Sequence, residues 1–243
     1  MSQNVVTIKP EATMYEAARV MGEKHIGSLI VLEDKTPLGI VTERDLLSNV
    51  LVIGRNPKEI NVSSVMSTPL ISIDPTASIK KAAQTMINKK GRLAVIEEEK
   101  LVGIITASDL VRSMPYAPET ILKVEDYMTK KVVTADEKVM IYDVVKIMGK
   151  KRIGSVIVTR KGEPMGIFTE RDLLSTFLAH DKPLDMSLGE AASSPLITAP
   201  SWISVHHAAQ IMVSSHIRRL PLTENDDLVG IITARDLVEA YSK

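Results

Sequence analysis

The stretch Gly39-Ile-Val-Thr-Glu-Arg-Asp-Leu-Leu47 decides the fold, because close copies of it recur along the chain. The copies are Gly103-Ile-Ile-Thr-Ala-Ser-Asp-Leu-Val111, Gly166-Ile-Phe-Thr-Glu-Arg-Asp-Leu-Leu174 and Gly230-Ile-Ile-Thr-Ala-Arg-Asp-Leu-Val238. Their first glycines are 64, 63 and 64 residues apart. A fixed period of this length indicates one supersecondary unit that is copied and stacked.

The four copies also form a higher-order pair with an offset of 127 residues. Met21–Ser48 matches Met148–Ser175 at 18 of 28 positions, and Ile87–Val111 matches Ser214–Val238 at 13 of 25. One copy is too small to bury a comfortable core, whereas two reach an ordinary domain size. We therefore expect two modules with separate cores, residues 1–117 and 118–243. The four repeats are predicted at residues 1–56, 57–117, 118–183 and 184–243.

Each repeat is predicted to run strand–helix–strand–strand–helix, which gives an α+β fold. In the first copy a β-rich segment at 5–9 precedes Pro10, and Thr13 with Glu16 forms a capping box that opens a helix. Apolar residues from Met14 to Met21 then recur at helical spacing. Strands are predicted at 27–32 and 38–41, and a second helix from 42 to about 51. The recurrent methionines are interpreted as core residues.

Composition excludes several function classes. The chain has 30 basic and 30 acidic residues and no basic tract interleaved with aromatics, which argues against nucleic acid as a partner. It has no cysteine, so disulfides and thiolate chemistry are excluded. No signal-peptide pattern and no apolar run of membrane-spanning length is found. These features predict a soluble, cytoplasmic protein without a membrane partner.

The repeat order, the 60-residue period and the four Thr-x-x-Asp motifs resemble the CBS domain family, named for cystathionine β-synthase. The resemblance covers essentially the whole chain. It implies tandem pairs called Bateman modules, with adenine nucleotides bound in clefts between paired repeats. Four repeats without an added enzyme resemble the nucleotide-sensing gamma subunit of AMP-activated protein kinase and stand-alone microbial CBS proteins.

The Thr-x-x-Asp motif supports two interpretations. Each Thr is a plausible helix N-cap, with the Asp in a first turn where a carboxylate suits the helix dipole. The same helix N-terminus is also an anion site, and an Asp there can accept both hydroxyls of a ribose. The resemblance implies that the Asp binds the ribose and that the Thr faces the sugar–phosphate. The candidate residues are Thr42, Asp45, Thr106, Asp109, Thr169, Asp172, Thr233 and Asp236.

Arginines around the motif are candidate phosphate ligands, because a guanidinium can bind two phosphate oxygens at once. Three of them precede a motif Asp, and the resemblance places three more where a strand begins. The alternative is that they are surface charges, or partners of Glu43 or Glu170 in the same turn. Repeats 1 and 3 instead carry small residues at this strand entrance, where an adenine could approach the backbone. The arginines are Arg44, Arg171, Arg235, Arg92, Arg218 and Arg219, and the small residues are Gly27, Ser28, Gly154 and Ser155.

The resemblance also implies a hydroxyl ligand before the first helix of a repeat. Thr13, Ser78 and Ser204 match this position, whereas the third copy has Met140. The alternative is that all three hydroxyls cap their helices. No nucleophile elbow, phosphate-binding loop or metal-spaced histidine pair occurs, so we expect no enzyme activity, no catalytic residue, no metal site and no catalytic cofactor.

The leading hypothesis is a regulatory protein that senses AMP, ADP or ATP and passes the signal to a protein partner that the sequence does not identify. One alternative is a dimerisation scaffold with vestigial clefts, so a homodimer is considered. Another is a binding module for S-adenosylmethionine, a metal ion or nucleic acid. Phosphate-directed arginines favour a phosphorylated ligand over cationic S-adenosylmethionine.

Overall fold

The computed structural model describes residues 1–89, 91–116 and 121–243. The predicted module boundary between 117 and 118 lies outside the described residues, as does the end of the connection at 113–118.

Each repeat builds one three-stranded sheet. A short first strand pairs in parallel with the second strand, which pairs antiparallel with the third. In order the strands are β1 (Thr7–Ile8), β2 (Ser28–Glu33), β3 (Thr36–Thr42), β4 (Ser72–Ile73), β5 (Leu93–Glu97), β6 (Lys100–Ile105), β7 (Thr134–Asp136), β8 (Ser155–Arg160), β9 (Glu163–Thr169), β10 (Ala199–Pro200), β11 (Arg219–Glu224) and β12 (Asp227–Thr233). The predicted strand order is confirmed in all four repeats.

The helices follow the predicted caps. The α-helices are α1 (Met14–Glu23), α2 (Glu43–Leu46), α3 (Ile79–Lys89), α4 (Ala107–Ser113), α5 (Ile141–Lys151), α6 (Glu170–Asp172), α7 (Leu188–Ala191), α8 (Val205–Ser214) and α9 (Ala234–Ser242). The helix expected from 42 to 51 differs in type, because α2 continues as a π-helix over Leu47–Leu51. Repeat 3 has the same change after α6, at Leu173–Phe177.

The chain divides into two compact units that do not follow the duplicated halves. Unit 1 comprises Met1–Val5, Ile71–Val132 and Ile197–Lys243, and therefore joins repeats 2 and 4. Unit 2 comprises Val6–Leu70 and Val133–Leu196, and joins repeats 1 and 3.

Unit 1 has one shared hydrophobic core. Helix α9 of repeat 4 packs against α3 and α4 of repeat 2. Buried residues from both repeats form a single cluster, which includes Met86, Leu110, Met212 and Leu237. The methionines predicted as core residues are confirmed here, since Met86 and Met212 are 3% and 2% exposed.

Unit 2 has two hydrophobic cores, and each core contains a residue from the other repeat. Repeat 1 contributes Met14, Met21 and Leu29 to one core, which also contains Leu174 of repeat 3. The other core belongs to repeat 3 and contains Leu47 of repeat 1. The prediction that residues 1–117 and 118–243 each have their own core is therefore wrong. The helices beside the motifs bury a face against a helix of the other half, so each core depends on both halves.

Candidate functional site

The four Thr-x-x-Asp motifs have nearly identical geometry. Each Thr caps the following helix, and one oxygen of the Asp, Oδ2, accepts from both the Thr backbone N–H and its hydroxyl. These distances are 2.8 and 2.7 Å for Thr42–Asp45, 2.8 and 2.6 Å for Thr106–Asp109, 2.8 and 2.7 Å for Thr169–Asp172, and 2.8 and 2.7 Å for Thr233–Asp236. The capping interpretation is thus confirmed in every repeat. Since capping uses Oδ2, a ribose hydroxyl would donate to Oδ1.

The strand entrance lies beside the motif in each repeat, as the sequence indicated. In repeat 4, Arg219 is the Cα partner of Thr233 across the β11–β12 pair, and Arg218 O accepts from Ala234 N–H at 2.9 Å. In repeat 1, Ser28 is the partner of Thr42, and Gly27 O accepts from Glu43 N–H at 3.3 Å. The residue that begins the second strand and the residue that begins the second helix therefore form one edge, which we call the motif edge.

The motif edges of unit 2 are acidic and closely packed. Glu43 and Glu170, the first helical residues of these edges, are buried, with 8% and 5% exposure. A Cβ added to Gly27 would lie 2.8 Å from the Glu43 carboxylate. In repeat 1, a side chain at Gly27 would therefore have to displace the Glu43 carboxylate.

The two arginines of unit 2 cross between repeats. Arg44 Nε lies 3.2 Å from Glu170 Oε1, and Arg171 Nε lies 3.9 Å from Glu43 Oε1. The sequence had suggested partners in the same turn, and that alternative is wrong. Each arginine forms an ion pair with the glutamate of the other repeat. These contacts favour a structural role for Arg44 and Arg171.

The motif edges of unit 1 have the opposite charge. The positions of Glu43 and Glu170 are occupied by Ala107 and Ala234, while Arg92 and Arg219 stand where unit 2 has Ser28 and Ser155. Arg218 adds a third cation next to Arg219. The three arginines are half-buried. Arg235, the second residue of α9, is exposed.

Burial shifts the pKa of Asp236 in unit 1. Desolvation raises the pKa of this carboxyl above its ordinary value, and the hydrogen bonds from Thr233 oppose that rise. Asp109 lies 3.5 Å, through Oδ1, from Arg112 Nη1 on the next turn of its helix. Ribose hydroxyls that donate to Asp236 would offset part of its desolvation.

The three hydroxyls that precede the first helices act as caps. Thr13 Oγ1 accepts from Glu16 N–H at 3.2 Å, Ser78 Oγ from Lys81 N–H at 3.2 Å, and Ser204 Oγ from His207 N–H at 3.0 Å. Met140 occupies the same position in repeat 3 without a side-chain cap. The structure therefore gives each hydroxyl a role that does not involve a ligand.

The buried histidine of repeat 4 belongs to a polar network inside unit 1. His206 Nδ1 lies 3.1 Å from Tyr241 Oη, and His206 Nε2 lies 3.2 Å from Gln210 Nε2. Within the described ranges, no group of three or more His, Asp or Glu side chains could hold a metal ion. No helix in the same ranges is long and apolar enough to cross a membrane.

Two features of these edges could be interpreted only from the folded chain. The crossed ion pairs require knowledge of which repeats pack together. The sequence alone shows that the motif helices of repeats 1 and 3 begin with Glu and those of repeats 2 and 4 with Ala. Only the structure shows that repeats 1 and 3 form one unit and repeats 2 and 4 the other, so that the two units differ in charge.

Comparisons with known proteins place the repeats in one family. The family model described as "CBS domain" matches residues 1–52, 62–116, 124–179 and 186–243. The CBS domain-containing protein YhcV of Bacillus subtilis is 35% identical over 111 residues, which cover 45% of this chain and 79% of that protein. An uncharacterised protein of Methanopyrus kandleri is 36% identical over 122 residues, 49% of this chain and 62% of that protein. The match thus spans less than two thirds of this last relative.

Among solved structures, the protein MJ1225 of Methanocaldococcus jannaschii has the same fold over nearly the whole chain. The TM-score is 0.80 at 24% identity, with 99% of this chain and 98% of that chain covered. That structure is named as a candidate archaeal homolog of g-AMPK. A conserved protein of Pyrococcus horikoshii gives a TM-score of 0.68 at 22% identity, with 99% and 97% covered.

Proposed function

The chain belongs to the CBS domain family, and from this premise we propose that it is a regulatory protein that binds an adenine nucleotide (AMP, ADP or ATP) at the motif edges of unit 1. The occupied protein presents a changed surface to a protein partner, and no step of catalysis is involved. The observation that carries the proposal is the cluster in repeat 4, where Arg218 and Arg219 adjoin the Thr233–Asp236 cap.

The parts of a nucleotide match the groups of this cluster. Asp236 Oδ1 accepts from a ribose hydroxyl, as the acidic residue of dinucleotide sites does. Arg218 and Arg219 bind the phosphate, since a guanidinium forks onto two phosphate oxygens. The helix N-terminus at Ala234 adds a positive dipole end. Repeat 2 offers Asp109 and Arg92, but it has Gly91 at the position of Arg218.

Unit 2 is a poorer site for a phosphate. Its edges carry the buried carboxylates of Glu43 and Glu170, which repel an anion, and Arg44 and Arg171 lie against those carboxylates. The glycine and serine residues of these edges remain candidates for contact with an adenine. We therefore assign phosphate recognition to unit 1.

The resemblance in fold to MJ1225 supports four repeats acting together, and its naming as a homolog of g-AMPK agrees with nucleotide sensing. Any such sensor requires that the nucleotide bind one conformation better than another. A dimerisation scaffold with vestigial clefts would have the same fold, but it would not bind phosphorylated ligands in preference to others.

Calorimetric titration of the full chain with AMP, ADP, ATP and S-adenosylmethionine tests the proposal. Asp236→Ala should weaken the preferred nucleotide about 10- to 150-fold, the effect of losing a charge-assisted hydrogen bond. Arg219→Lys should keep part of the affinity that Arg219→Ala loses, because lysine offers only a point charge. Asp45→Ala removes an equivalent cap in unit 2 and is the matched control. Tight binding of S-adenosylmethionine alone, or no binding at all, would refute nucleotide sensing.

A further inference from the structure

The two motif edges of unit 1 carry different side chains at positions related by the offset of 127. Repeat 2 has Gly91 where repeat 4 has Arg218. It also has Ser108 where repeat 4 has Arg235. Both edges keep one arginine at the strand entrance and the Thr-x-x-Asp cap. At the two positions that differ, repeat 4 therefore has cations that repeat 2 lacks.

The third residue after the motif aspartate reverses its charge between these repeats. It is Arg112 in repeat 2 and Glu239 in repeat 4, whereas both repeats of unit 2 have serine there. Arg112 Nη1 lies 3.5 Å from Asp109 Oδ1. Burial, and to a lesser extent the Glu239 carboxylate, raises the pKa of Asp236. One aspartate therefore has a cation as its neighbour, and the other has an anion.

This reversal acts on the oxygen that a ribose would use. Oδ2 of both aspartates accepts from the capping threonine, so a ribose hydroxyl would donate to Oδ1. In repeat 2 the hydroxyl would compete with Arg112 for Asp109 Oδ1. In repeat 4 no hydrogen bond or ion pair from the described residues reaches Asp236 Oδ1. A hydroxyl donated there would stabilise a carboxylate that is partly desolvated and lies near a like charge.

The two differences should have unequal effects on affinity. The Arg112 side chain is 67% exposed, and an exposed ion pair of this kind changes an affinity by about fivefold at most. An arginine that binds phosphate contributes more, because losing a charge-assisted hydrogen bond weakens binding about 10- to 150-fold. The exchange of Arg218 for Gly91 should therefore set most of the difference between the edges, and the charge reversal at Arg112 a smaller part.

We propose that the two edges bind the same nucleotide with unequal affinity, repeat 4 strongly and repeat 2 at least about tenfold more weakly. Arg218 and Glu239 favour binding in repeat 4, whereas Gly91 and Arg112 disfavour it in repeat 2. This inference rests on the proposed function. It adds the order in which the two edges fill and the residues that set this order.

Gly91 is the position where this order can be changed with least disturbance. A Cβ added there would lie 2.8 Å from Ile71 Cδ1, which is the end of a flexible side chain. The φ of Gly91 lies outside the left-handed region, so a side chain at this position causes no backbone strain. The variant Gly91→Arg should therefore fold after a small movement of Ile71.

The first test is calorimetric titration of the full chain with AMP. The parent should bind one AMP tightly and a second at least about tenfold more weakly. Gly91→Arg should strengthen the weaker event at least about fivefold, and Arg218→Gly should weaken the stronger event at least about tenfold. Gln84→Arg is the matched control, because it adds the same charge at an exposed position of α3 in the same repeat. A weaker event that responds equally to Gly91→Arg and Gln84→Arg would overturn the proposal.

The second test uses adenosine, which lacks phosphate and therefore isolates the contact with ribose. Arg112→Gln should strengthen the weaker event about two- to fivefold. Lys100→Gln removes the same charge from an exposed position in repeat 2 and should not change it. Glu239→Arg should weaken the stronger event by a similar factor, because the new guanidinium can pair with Asp236 as Arg112 pairs in repeat 2. Unchanged affinity in both Arg112→Gln and Glu239→Arg would refute the role of this position.

The outcomes separate this inference from the proposed function. No binding of AMP to the parent would overturn both. Two events of equal affinity in the parent would overturn only the order of the edges. A tight event that Asp109→Ala removes and Asp236→Ala leaves intact would do the same, since nucleotide binding by unit 1 would still stand.

Discussion

Units 1 and 2 are built from the same repeat but carry opposite charges at the same place. In unit 2 the motif edges present Glu43 and Glu170, buried and crossed with arginines of the other repeat. In unit 1 the equivalent helices begin with alanine, and arginines stand at the strand entrance. The comparison teaches that the same backbone frame carries ion pairs between repeats in unit 2 and a set of arginines in unit 1, where we propose that an anion binds.

The units also differ in how closely their helices approach. Unit 2 places Gly22 and Gly149 directly after the core methionines of α1 and α5, whereas unit 1 has Ile87 and Val213 at these positions. A Cβ at Gly22 would lie 2.7 Å from Ala179 Cβ and 2.9 Å from Leu174 O. Unit 2 therefore gains contact through glycine, and unit 1 through side chains that join its single core.

Separating the two duplicated halves of the chain should have the largest effect on folding. A fragment of residues 1–117 contains one repeat of each unit, so it exposes the helix faces that repeats 3 and 4 cover. We expect no folded monomer, but a dimer in which a second copy replaces the homologous half, or an unfolded chain. Size-exclusion chromatography with light scattering and circular dichroism measures this. A folded monomeric fragment would contradict the shared cores.

Gly22→Ala should destabilise unit 2 by about 1–3 kcal/mol, because the added methyl overlaps backbone that cannot easily move. The sign is informative, since Gly to Ala inside a helix otherwise stabilises by about 1 kcal/mol. Val213→Ala, at the equivalent position of α8, is the control and should cost less than Gly22→Ala because it introduces no overlap. Urea unfolding gives both values, and a stabilised Gly22→Ala would disprove the close approach.

The crossed ion pairs should contribute less to the free energy of unfolding than the close helix packing at Gly22 does. A double-mutant cycle of Arg44→Ala and Glu170→Ala should give a coupling of about 0.5–1 kcal/mol, since the Arg44 side chain is 51% exposed and water screens the pair. The cycle of Arg44 with Glu43, in the same turn, is the control and should show no favourable coupling. Favourable coupling of Arg44 with Glu43 but not with Glu170 would support the alternative from the sequence, in which the arginine pairs within its own turn.

The smallest effect concerns Asp236. Burial raises its pKa in the folded state, so the folded protein holds this proton more tightly than the unfolded chain does. Its favourable contribution is present below the ordinary pKa of aspartate and is lost as pH rises through the folded pKa. The stability of the parent relative to Asp236→Asn should therefore decrease as the pH rises from the ordinary pKa of aspartate through the higher pKa of the folded state, as measured by thermal unfolding. An increase over that window would contradict the burial of this carboxylate.

The sequence predicted the parts that depend on local chemistry. The cap of Thr13 with Glu16, the four Thr-x-x-Asp caps and the buried Met21 and Met148 could be read from hydroxyl, carboxylate and helical spacing. The repeat limits remain predictions, and the connections complicate them, because Val62 is predicted in repeat 2 but packs in the core of repeat 1.

The pairing of repeats could not be predicted. A helix that is apolar on two sides shows the same hydrophobic periodicity whichever helix it packs against. The offset of 127 residues shows that the two halves are duplicates, but it does not show which repeats are in contact. The crossing of Arg44 to Glu170 follows from that pairing and therefore required the folded chain.

If phosphate recognition belongs to the arginine edges of unit 1, as we propose, calorimetric titration with AMP and adenosine should show it. The parent should bind AMP at least about tenfold more tightly than adenosine, because charge-assisted bonds to phosphate contribute about 1.5–3 kcal/mol. Arg219→Ala should lose this preference while its affinity for adenosine stays unchanged, and Arg171→Ala, which removes a motif arginine of unit 2, should retain it. Equal affinity of the parent for AMP and adenosine, or a preference removed by Arg171→Ala and not by Arg219→Ala, would contradict the account.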